Sequence, residues 1–180
     1  QSAGDMFDIA EIFAKDKPVP DFHDHCTGLV KILDNYTDIF MAHDAWSDYR
    51  ELHGELKEYN LNIKEFNAKR ITMSTRIGKL SSYDDFYIAD SGLFVLETTM
   101  NNYNEELYKL VKPQCLFTWL RAVHAVWTAK NGSDWTETFV RYNSGTYNNQ
   151  YVILDSNKFE YGKKPEKDLL WIVEHFPGDH

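Results

Sequence analysis

The chain has 180 residues, of which 43% are hydrophobic and 15% aromatic, so a buried core is expected and a disordered chain is excluded. Its 19 basic and 28 acidic residues give a formal net charge of −9, which argues against a nucleic-acid backbone or an anionic membrane as the partner. No apolar run reaches the about 18 residues of a membrane-spanning helix. The opening QSAGDMFDIAEIFAKDKPVPDF lacks the basic flank and continuous apolar stretch of a signal peptide, so a secretory signal is expected outside this chain.

The first half of the chain is predicted to hold a connector, a hairpin and a helix. Residues 1–25 combine a short amphipathic stretch, MFDIAEIFAKD, with KPVPDFHDH, whose two prolines disfavour a helix. The runs CTGLVKIL and TDIFMAHDAW are rich in β-forming residues and are separated by DNY, which indicates a β-hairpin. The segment SDYRELHGELKEYN is predicted to be a charged amphipathic helix capped by Ser47.

The second half alternates less regularly between strands and helices. Three strands are predicted in KRITMSTRIG, DDFYIAD and GLFVLETTM, the last two joined near Ser91 and Gly92. Three helices are predicted in NEELYKLV, CLFTWLRAVHAVWTAK and DWTETFVRY. NNQYVILD returns to strand, and DLLWIVEHF fits either a strand or a buried helix. This order lacks strict βαβ alternation and favours an α+β sandwich of sheets and helices over a doubly wound fold.

The stretch HDHCTG raises the question of what Cys26 does. A zinc site formed by His23, Asp24, His25 and Cys26 is disfavoured, because neighbouring residues of an extended chain face opposite ways. A disulfide to Cys115 stays open, since spacing alone does not bring two Cα atoms together. A buried structural cysteine is a further alternative. However, Cys26 opens a strand directly after a polar connector, which is an edge position.

That position suits an N-terminal nucleophile. If the chain is cut between His25 and Cys26, the α-amine of Cys26, with an ordinary pKa near 8, becomes a base beside its own thiol. The same thiol can make the cut by attacking the preceding carbonyl to form a thioester, which water resolves. The small residues Thr27 and Gly28 leave room for a substrate beside the sulfur.

The hairpin predicts which residues neighbour Cys26. If residues 34–37 form a four-residue loop, Cys26 pairs with Ala45 and Gly28 with His43, so Cys26 and His43 share one face as diagonal neighbours. A shift of two residues keeps them together, whereas a shift of one would separate them. Trp46 ends the same strand, where its ring could form a wall of an acyl pocket or simply pack.

Two N-x-Ser/Thr sequons begin at Asn35 and Asn131, in turn-like surroundings that would tolerate a glycan. Such triplets arise often by chance, so they favour a secretory route only modestly.

The motifs HCTGLVKIL…DIFMAHDAWSDY, SSYDDFYIADSGLFVLETTMNN and VRYNSGTYNNQY resemble the phospholipase B-like family, lysosomal glycoproteins related to the lamina ancestor protein. The similarity runs from about Cys26 to the end of the chain. CTG followed by a hairpin is also similar to the choloylglycine hydrolases and acid ceramidase, which are cysteine N-terminal nucleophile hydrolases. Where choloylglycine hydrolases carry Arg-Asn-x-Asp, this chain has His43-Asp44-Ala45-Trp46, so bile-salt or penicillin chemistry is not expected.

The resemblance implies a four-layer αββα sandwich, self-cleavage before Cys26 and a lysosomal or secreted destination. It makes residues 1–25 a segment upstream of the cleavage site and residues 26–180 the first part of the hydrolase core. By position it makes Cys26 the nucleophile and places His43, Trp46 and Thr99 around it, with Thr98 as the alternative because the two threonines alternate faces.

A further motif, NSGTYNNQ, holds two more candidates. Asn143 or Asn148 could line the site, although a turn rich in Asn and Gly is usually structural. Family members are much longer, so the remaining pieces of the same precursor are expected as partners, and a further asparagine for the oxyanion hole is expected downstream.

The function implied by the resemblance is removal of fatty acyl groups from phospholipids, with no cofactor and no metal. An N-acyl amide hydrolase is the alternative within the same fold, because related folds mainly cleave amides. A lipid-binding lysosomal glycoprotein with little turnover is the alternative from another class.

Overall fold

Eight strands form two antiparallel sheets in the part of the chain that the computed structural model describes, residues 2–13, 25–47, 49, 52–82 and 85–180. The smaller sheet pairs β1 with β2, and the larger sheet has the order β3-β4-β5-β6-β7-β8. The strands are β1 His25–Ile32, β2 Ile39–Trp46, β3 Glu55–Asn60, β4 Arg70–Thr75, β5 Phe86–Ala89, β6 Leu93–Thr99, β7 Asn149–Asp155 and β8 Leu170–Glu174. The α-helices are α1 Ser2–Phe13, α2 Thr118–Thr128 and α3 Gly132–Val140.

One face of the six-stranded sheet packs on α2 and α3. Alternate residues along the strands, such as Val95 of β6 and Ile153 of β7, are fully buried with Ala125 and Phe139 of the helices. The rings of Trp135 and Phe139 stack within this core, with centroids 4.9 Å apart. The apolar stripes of the two helices therefore close one side of the sheet.

The opposite face of β6 lies against the hairpin. Leu96 is fully buried but points away from the helix-side core, and a Cβ placed on Gly28 would lie 2.7 Å from Leu96 Cδ1 and 3.6 Å from Thr98 Cγ2. Only a residue without a side chain allows β1 to approach β6 this closely. Helices, large sheet and hairpin thus form three successive layers, which confirms the α+β prediction and is consistent with a partial sandwich.

Helix α1 is docked onto the core by the carboxyl groups of buried Asp5 and half-buried Asp8. Asp5 Oδ1 accepts hydrogen bonds from the backbone N–H of Thr118 (3.2 Å) and from Thr146 Oγ1 (2.6 Å). Phe117, at the N-cap of α2, gives no side-chain cap, so Asp5 caps that helix from a distant part of the chain. Asp8 Oδ2 accepts from the N–H of Tyr147 at 2.7 Å, and burial raises the pKa of Asp8 to about 6.

A buried guanidinium on α2 links the residues before that helix to the end of α3. Arg121 Nε donates to Leu116 O (2.9 Å), and Arg121 Nη1 donates to Phe139 O (2.7 Å). Burial lowers the pKa of Arg121 to about 10. The Arg121 side chain therefore has a structural role, because its hydrogen bonds hold these backbone carbonyls in place.

Two of the predicted elements differ from the structure. The helix predicted over SDYRELHGELKEYN is wrong in its second half, because residues 55–60 form strand β3. Pairing with β4 outweighs the local helix propensity of this segment. Two side-chain contacts stabilise the strand: Lys57 Nζ donates to Arg76 O at 3.0 Å, and Tyr59 packs on the core. The stretch NEELYKLV forms a 3₁₀ helix over Glu105–Leu110 instead of an α-helix.

The open choice for DLLWIVEHF is settled as strand, since β8 pairs with β7 along its length. The proline-containing connector, together with His23 and Asp24 of the zinc alternative, lies outside the described residues. None of the described helices combines the length and apolar character that crossing a bilayer requires.

Candidate functional site

The hairpin adopts the register that its loop length predicts. Leu33 N donates to Asp38 O at 2.9 Å across a short 3₁₀ turn, Asp34–Tyr36. The strands then pair Cys26 with Ala45 and Gly28 with His43, so Cys26 and His43 share the face that packs on the large sheet. The predicted register is therefore confirmed.

Three different side chains meet at the inner end of this hairpin. Cys26 Sγ, a ring nitrogen of His43 and a carboxylate oxygen of Glu97 all lie within 4.8 Å of one another. They come from β1, β2 and β6, three strands held by backbone pairing. Glu97 is fully buried, whereas Cys26 and His43 keep partial access to solvent. The group combines a thiol, an imidazole and a carboxyl.

The tautomer of His43 is set by a backbone carbonyl. His43 Nε2 lies 2.8 Å from Glu97 O, and because a carbonyl oxygen only accepts, Nε2 carries the proton and donates. This carbonyl is available because β5 begins at Phe86, which pairs with Leu96, and so supplies no partner residue beside Glu97. The other ring nitrogen, Nδ1, keeps its lone pair and can accept a proton.

Both threonines of the LETT motif lie beside this group. Thr99 Oγ1 donates to Glu97 Oε1 at 2.9 Å and so orients the carboxyl group next to Cys26. Thr98, one residue earlier, faces the hairpin near Gly28. Thr99 therefore contacts the group through Glu97, and Thr98 borders the hairpin that carries the cysteine.

A second buried carboxyl group, Asp85, extends the site inward. Burial raises the pKa of Asp85 and raises the pKa of Glu97 well above its usual range, and the negative charge of Asp85 raises the pKa of Glu97 further. If both groups were ionised, Asp85 Oδ1 and Glu97 Oε2 would be buried without a donor. A proton on Glu97 that is shared with Asp85 satisfies both oxygens. Tyr147 Oη donates to the other oxygen, Asp85 Oδ2, at 2.6 Å.

Tyr147 connects this carboxyl pair to α1. Its backbone N–H is bonded to Asp8, while its ring lies where any side chain on Gly4 would clash, at 1.9 Å from a Cβ placed there. Burial raises the pKa of the Tyr147 hydroxyl well above its usual range, so it remains a donor to Asp85. The sequence upstream of Cys26 therefore reaches the site through one buried tyrosine.

Trp46 ends β2 opposite His25, and 56% of its surface is exposed. With Leu29 and Phe40 it belongs to the outward face of the hairpin, away from Cys26 Sγ. The structure thus brings Cys26, His43 and Thr99 together and leaves Trp46 on the other face. The backbone of His25 is part of β1, so the bond between His25 and Cys26 lies at the end of a paired strand.

The two candidate asparagines of NSGTYNNQ differ in their contacts. Asn143 Nδ2 donates to Phe176 O (2.6 Å), and Asn143 Oδ1 accepts from Gly145 N (3.0 Å). Gly145 has φ of 70°, a left-handed conformation that suits glycine. Asn148 is buried and its backbone carbonyl accepts from Met100 N at 2.9 Å, but its side-chain Oδ1 has no hydrogen-bond partner. These contacts favour the structural interpretation for Asn143.

Both sequon asparagines are exposed. Asn35 lies in the hairpin turn with φ of 57°. Asn131 is the N-cap of α3, where its Oδ1 accepts from Asp134 N at 2.9 Å. Nδ2, the atom to which a glycan would be attached, is not used in that cap.

The two cysteines are not bonded to each other. An apolar pocket lies between α2 and strands β3 to β5, lined among others by Met73, Leu80 and Trp127. Cys26, His43 and Glu97 are not among its lining residues, so this pocket is separate from the candidate site.

Sequence reasoning missed the acidic part of the site. Glu97 stands in the quoted LETT motif and Asp85 in YDDFY, but an acidic residue in a strand or turn gives no local sign of burial. The available signal was Glu97 inside an otherwise apolar strand, at a position of the β6 alternation that faces inward.

The chain matches the family model described as Phospholipase B over residues 1–180. It is 42% identical to Phospholipase B-like protein B of Dictyostelium discoideum over 158 residues, which is 86% of this chain and 28% of that protein. It is 41% identical to Phospholipase B-like 1 of Bos taurus over 155 residues, 85% of this chain and 28% of the relative. With Putative phospholipase B-like 1 of Caenorhabditis elegans the identity is 38% over 183 residues, 99% of this chain and 32% of the relative.

The chain thus spans about a third or less of the length of these curated relatives. Within that span it contains the β1–β2 hairpin, strand β6 with its LETT motif, and the NSGTYNNQ motif described above. A family model that matches from the first residue to the last, and relatives near 40% identity over most of the chain, lead to one conclusion: the chain belongs to the Phospholipase B family.

Proposed function

We propose that the chain carries the nucleophile of a lysosomal hydrolase that removes fatty acyl groups from phospholipids. The observation that carries the proposal is the position of Cys26, directly after His25 at the end of β1, with its sulfur beside His43 and Glu97. Membership of the Phospholipase B family supports a lipid hydrolase or a related function. The names of the relatives, Phospholipase B-like protein B and Phospholipase B-like 1, support phospholipids as the class of substrate.

The first step is self-cleavage of the bond between His25 and Cys26. Cys26 Sγ attacks the carbonyl carbon of His25, and its proton passes to a base, a role that we assign to His43, whose ring lies beside the sulfur. Collapse of the adduct breaks the C–N bond and leaves His25 as a thioester on Sγ, while the nitrogen of Cys26 takes up a proton as a free amine. Water then hydrolyses the thioester, which releases the carboxylate of His25 and restores the thiol.

The second step is acyl transfer from a lipid. The free α-amine accepts the thiol proton, and Sγ attacks the ester carbonyl. The ester oxygen leaves with that proton as an alcohol on the lysolipid, and the acyl group stays on sulfur as a thioester. Water releases the fatty acid and returns the proton to Sγ. Amide donors around the carbonyl oxygen would stabilise the charge that develops there.

Buried carboxyl groups support an acidic compartment. The pKa of Asp8 is raised to about 6 by burial, and burial also raises the pKa of Asp5. Because these two groups bind more protons in the folded than in the unfolded chain, their contribution to stability increases as the pH falls from 7 towards about 4. The exposed sequons at Asn35 and Asn131 fit the same secretory route.

The contacts of α1 support retention of the upstream segment after cleavage. Asp5 and Asp8 bind Thr118, Thr146 and Tyr147, all downstream of the cut. Residues 1–25 would therefore remain as a separate chain bound to the core that begins at Cys26.

The test of processing is intact mass and N-terminal sequencing of the chain after incubation at acidic pH. A new N-terminus at Cys26 that is absent from Cys26→Ala supports the proposal. Cys115→Ala is the matched control, because it removes the other thiol and should be cut like the wild type. A chain that stays uncut in the full-length precursor under all conditions would contradict the proposal.

The test of substrate uses the cleaved precursor with acyl-labelled phospholipids and N-acyl amides in parallel. An acyl-enzyme on Cys26 with the ester, trapped by acid quench, supports phospholipid hydrolysis. Faster turnover of the amide would favour the N-acyl amide hydrolase. Lipid binding that persists in Cys26→Ala, with no acyl-enzyme in the wild type, would favour a binding protein.

A further inference from the structure

We propose that Cys26, His43 and Glu97 form a zinc site whose occupation blocks the nucleophile. A thiolate, an imidazole and a carboxylate are all ligands of Zn²⁺, and a thiolate with an imidazole disfavours Mg²⁺ and Ca²⁺. The three ligand atoms lie within 4.8 Å of one another. Ligands around tetrahedral zinc are about 3.5 Å apart, so rotation of the partly exposed Cys26 side chain would close the site while His43 keeps its hydrogen bond to Glu97 O.

The groups around the three ligands match those that support bound metal. A metal-binding histidine usually donates its other ring N–H to a carbonyl or carboxylate, which fixes the free nitrogen towards the ion. His43 already donates Nε2–H to Glu97 O at 2.8 Å, which leaves Nδ1 as the ligand. Thr99 Oγ1 holds Glu97 Oε1 at 2.9 Å. The other oxygen, Oε2, becomes the ligand when the ion replaces the proton that Glu97 shares with Asp85.

The charge of the site also fits a divalent cation. On binding, Cys26 gives up its thiol proton and Glu97 gives up the proton that it shares with Asp85, both to solvent, so the thiolate and the Glu97 carboxylate together neutralise Zn²⁺. Asp85, buried beside Glu97, adds a further acidic group at the inner side. The cation would therefore offset the cost of burying two carboxyl groups in one place.

The fourth ligand depends on the state of the chain. In the uncut chain three protein ligands leave one position for water, which is the arrangement of an open zinc site. After a cut before Cys26, its α-amine and sulfur can chelate the ion in a five-membered ring and complete the four ligands. Zinc would then occupy both the nucleophile and its base, so bound metal inhibits acyl transfer. That inhibition rests on the proposed function, whereas metal binding does not.

The experiment loads the uncut chain with Co²⁺ as a spectroscopic probe and with Zn²⁺ for stoichiometry after desalting. We expect one retained Zn²⁺ per chain and a thiolate-to-cobalt charge-transfer band. Cys26→Ala should lose the band and the retained zinc, while Cys115→Ala should keep both. Thr99→Val should weaken zinc binding about tenfold or more with the band intact, because it removes only the support of Glu97.

Glu97→Gln could unfold the chain because Glu97 is fully buried, so Cys26→Ala and His43→Ala, at partly exposed positions, decide the outcome. Absence of retained metal in the wild type overturns the proposal. So does equal retention by Cys26→Ala, or a band that disappears in Cys115→Ala. If zinc binds as expected but the cleaved precursor has no acyl hydrolase activity, the site stands and the proposed function fails.

Discussion

Replacing Asp8 with Asn should stabilise the chain at neutral pH and flatten its dependence on pH. The pKa of Asp8 rises from 3.8 to about 6 because the group is buried in the α1 interface. At pH 7 the ionised side chain therefore destabilises the fold by about 3 kcal/mol, at about 1.4 kcal/mol per pKa unit. At pH 4.5 most of the folded chains carry the proton, and the same calculation leaves about 1 kcal/mol.

The expected result is that wild-type stability gains about 2 kcal/mol from Asp8 between pH 7 and pH 4.5, a gain that Asp8→Asn lacks. An Asn side chain still accepts from Tyr147 N through its Oδ1, so the docking hydrogen bond is kept. Urea unfolding at several pH values measures the difference. Glu166→Gln removes one exposed carboxylate and serves as the control. Parallel pH curves for the wild type and Asp8→Asn would refute the reasoning.

Three further variants test other parts of the structure. His175 is buried and neutral, and burial lowers its pKa well below 6.5, so stability should fall as the pH drops below about 6.5. In urea unfolding at pH 5, His175→Gln should remove up to about 2 kcal/mol of that loss of stability. The same decrease in stability below pH 6.5 in the variant and the wild type would contradict this. Arg121→Met should destabilise the chain by about 3 kcal/mol or more in the same assay, because Leu116 O and Phe139 O lose their donor. Gly28→Val should cost about 1 to 3 kcal/mol and change the rate of Cys26 alkylation, and an unaltered rate would argue against close packing of the hairpin on β6.

The elements that the sequence predicted well are those whose local pattern and tertiary environment agree. The hairpin is the strongest case, because two β-rich runs around a short polar turn allow few registers, and one of these puts Cys26 beside His43. In segment 55–60 the local pattern and the tertiary environment disagree. Its charged residues resemble a helix surface, but β4 offers an unpaired edge, and that pairing lies outside any local window.

The candidate site likewise contains residues that the sequence predicted and residues that it did not. Cys26, His43 and Thr99 could be found because a short motif or an alternation placed them, whereas Glu97, Asp85 and Tyr147 meet only through long-range packing. Trp46 stands one position along from the inward face, so sequence proximity to His43 said nothing about its direction.

The docking of α1 also has a consequence for the order of folding. Asp5 is bound to residues 113 and 141 positions further along the chain, so these contacts close very long loops and are expected to form late. In an uncut chain this closure is unimolecular. Once the bond before Cys26 is cut, the two pieces must find each other by diffusion, and recovery from unfolding becomes dependent on concentration. Maturation would therefore convert a chain that can refold alone into two associated fragments, and these fragments would recover the native fold only by binding each other again.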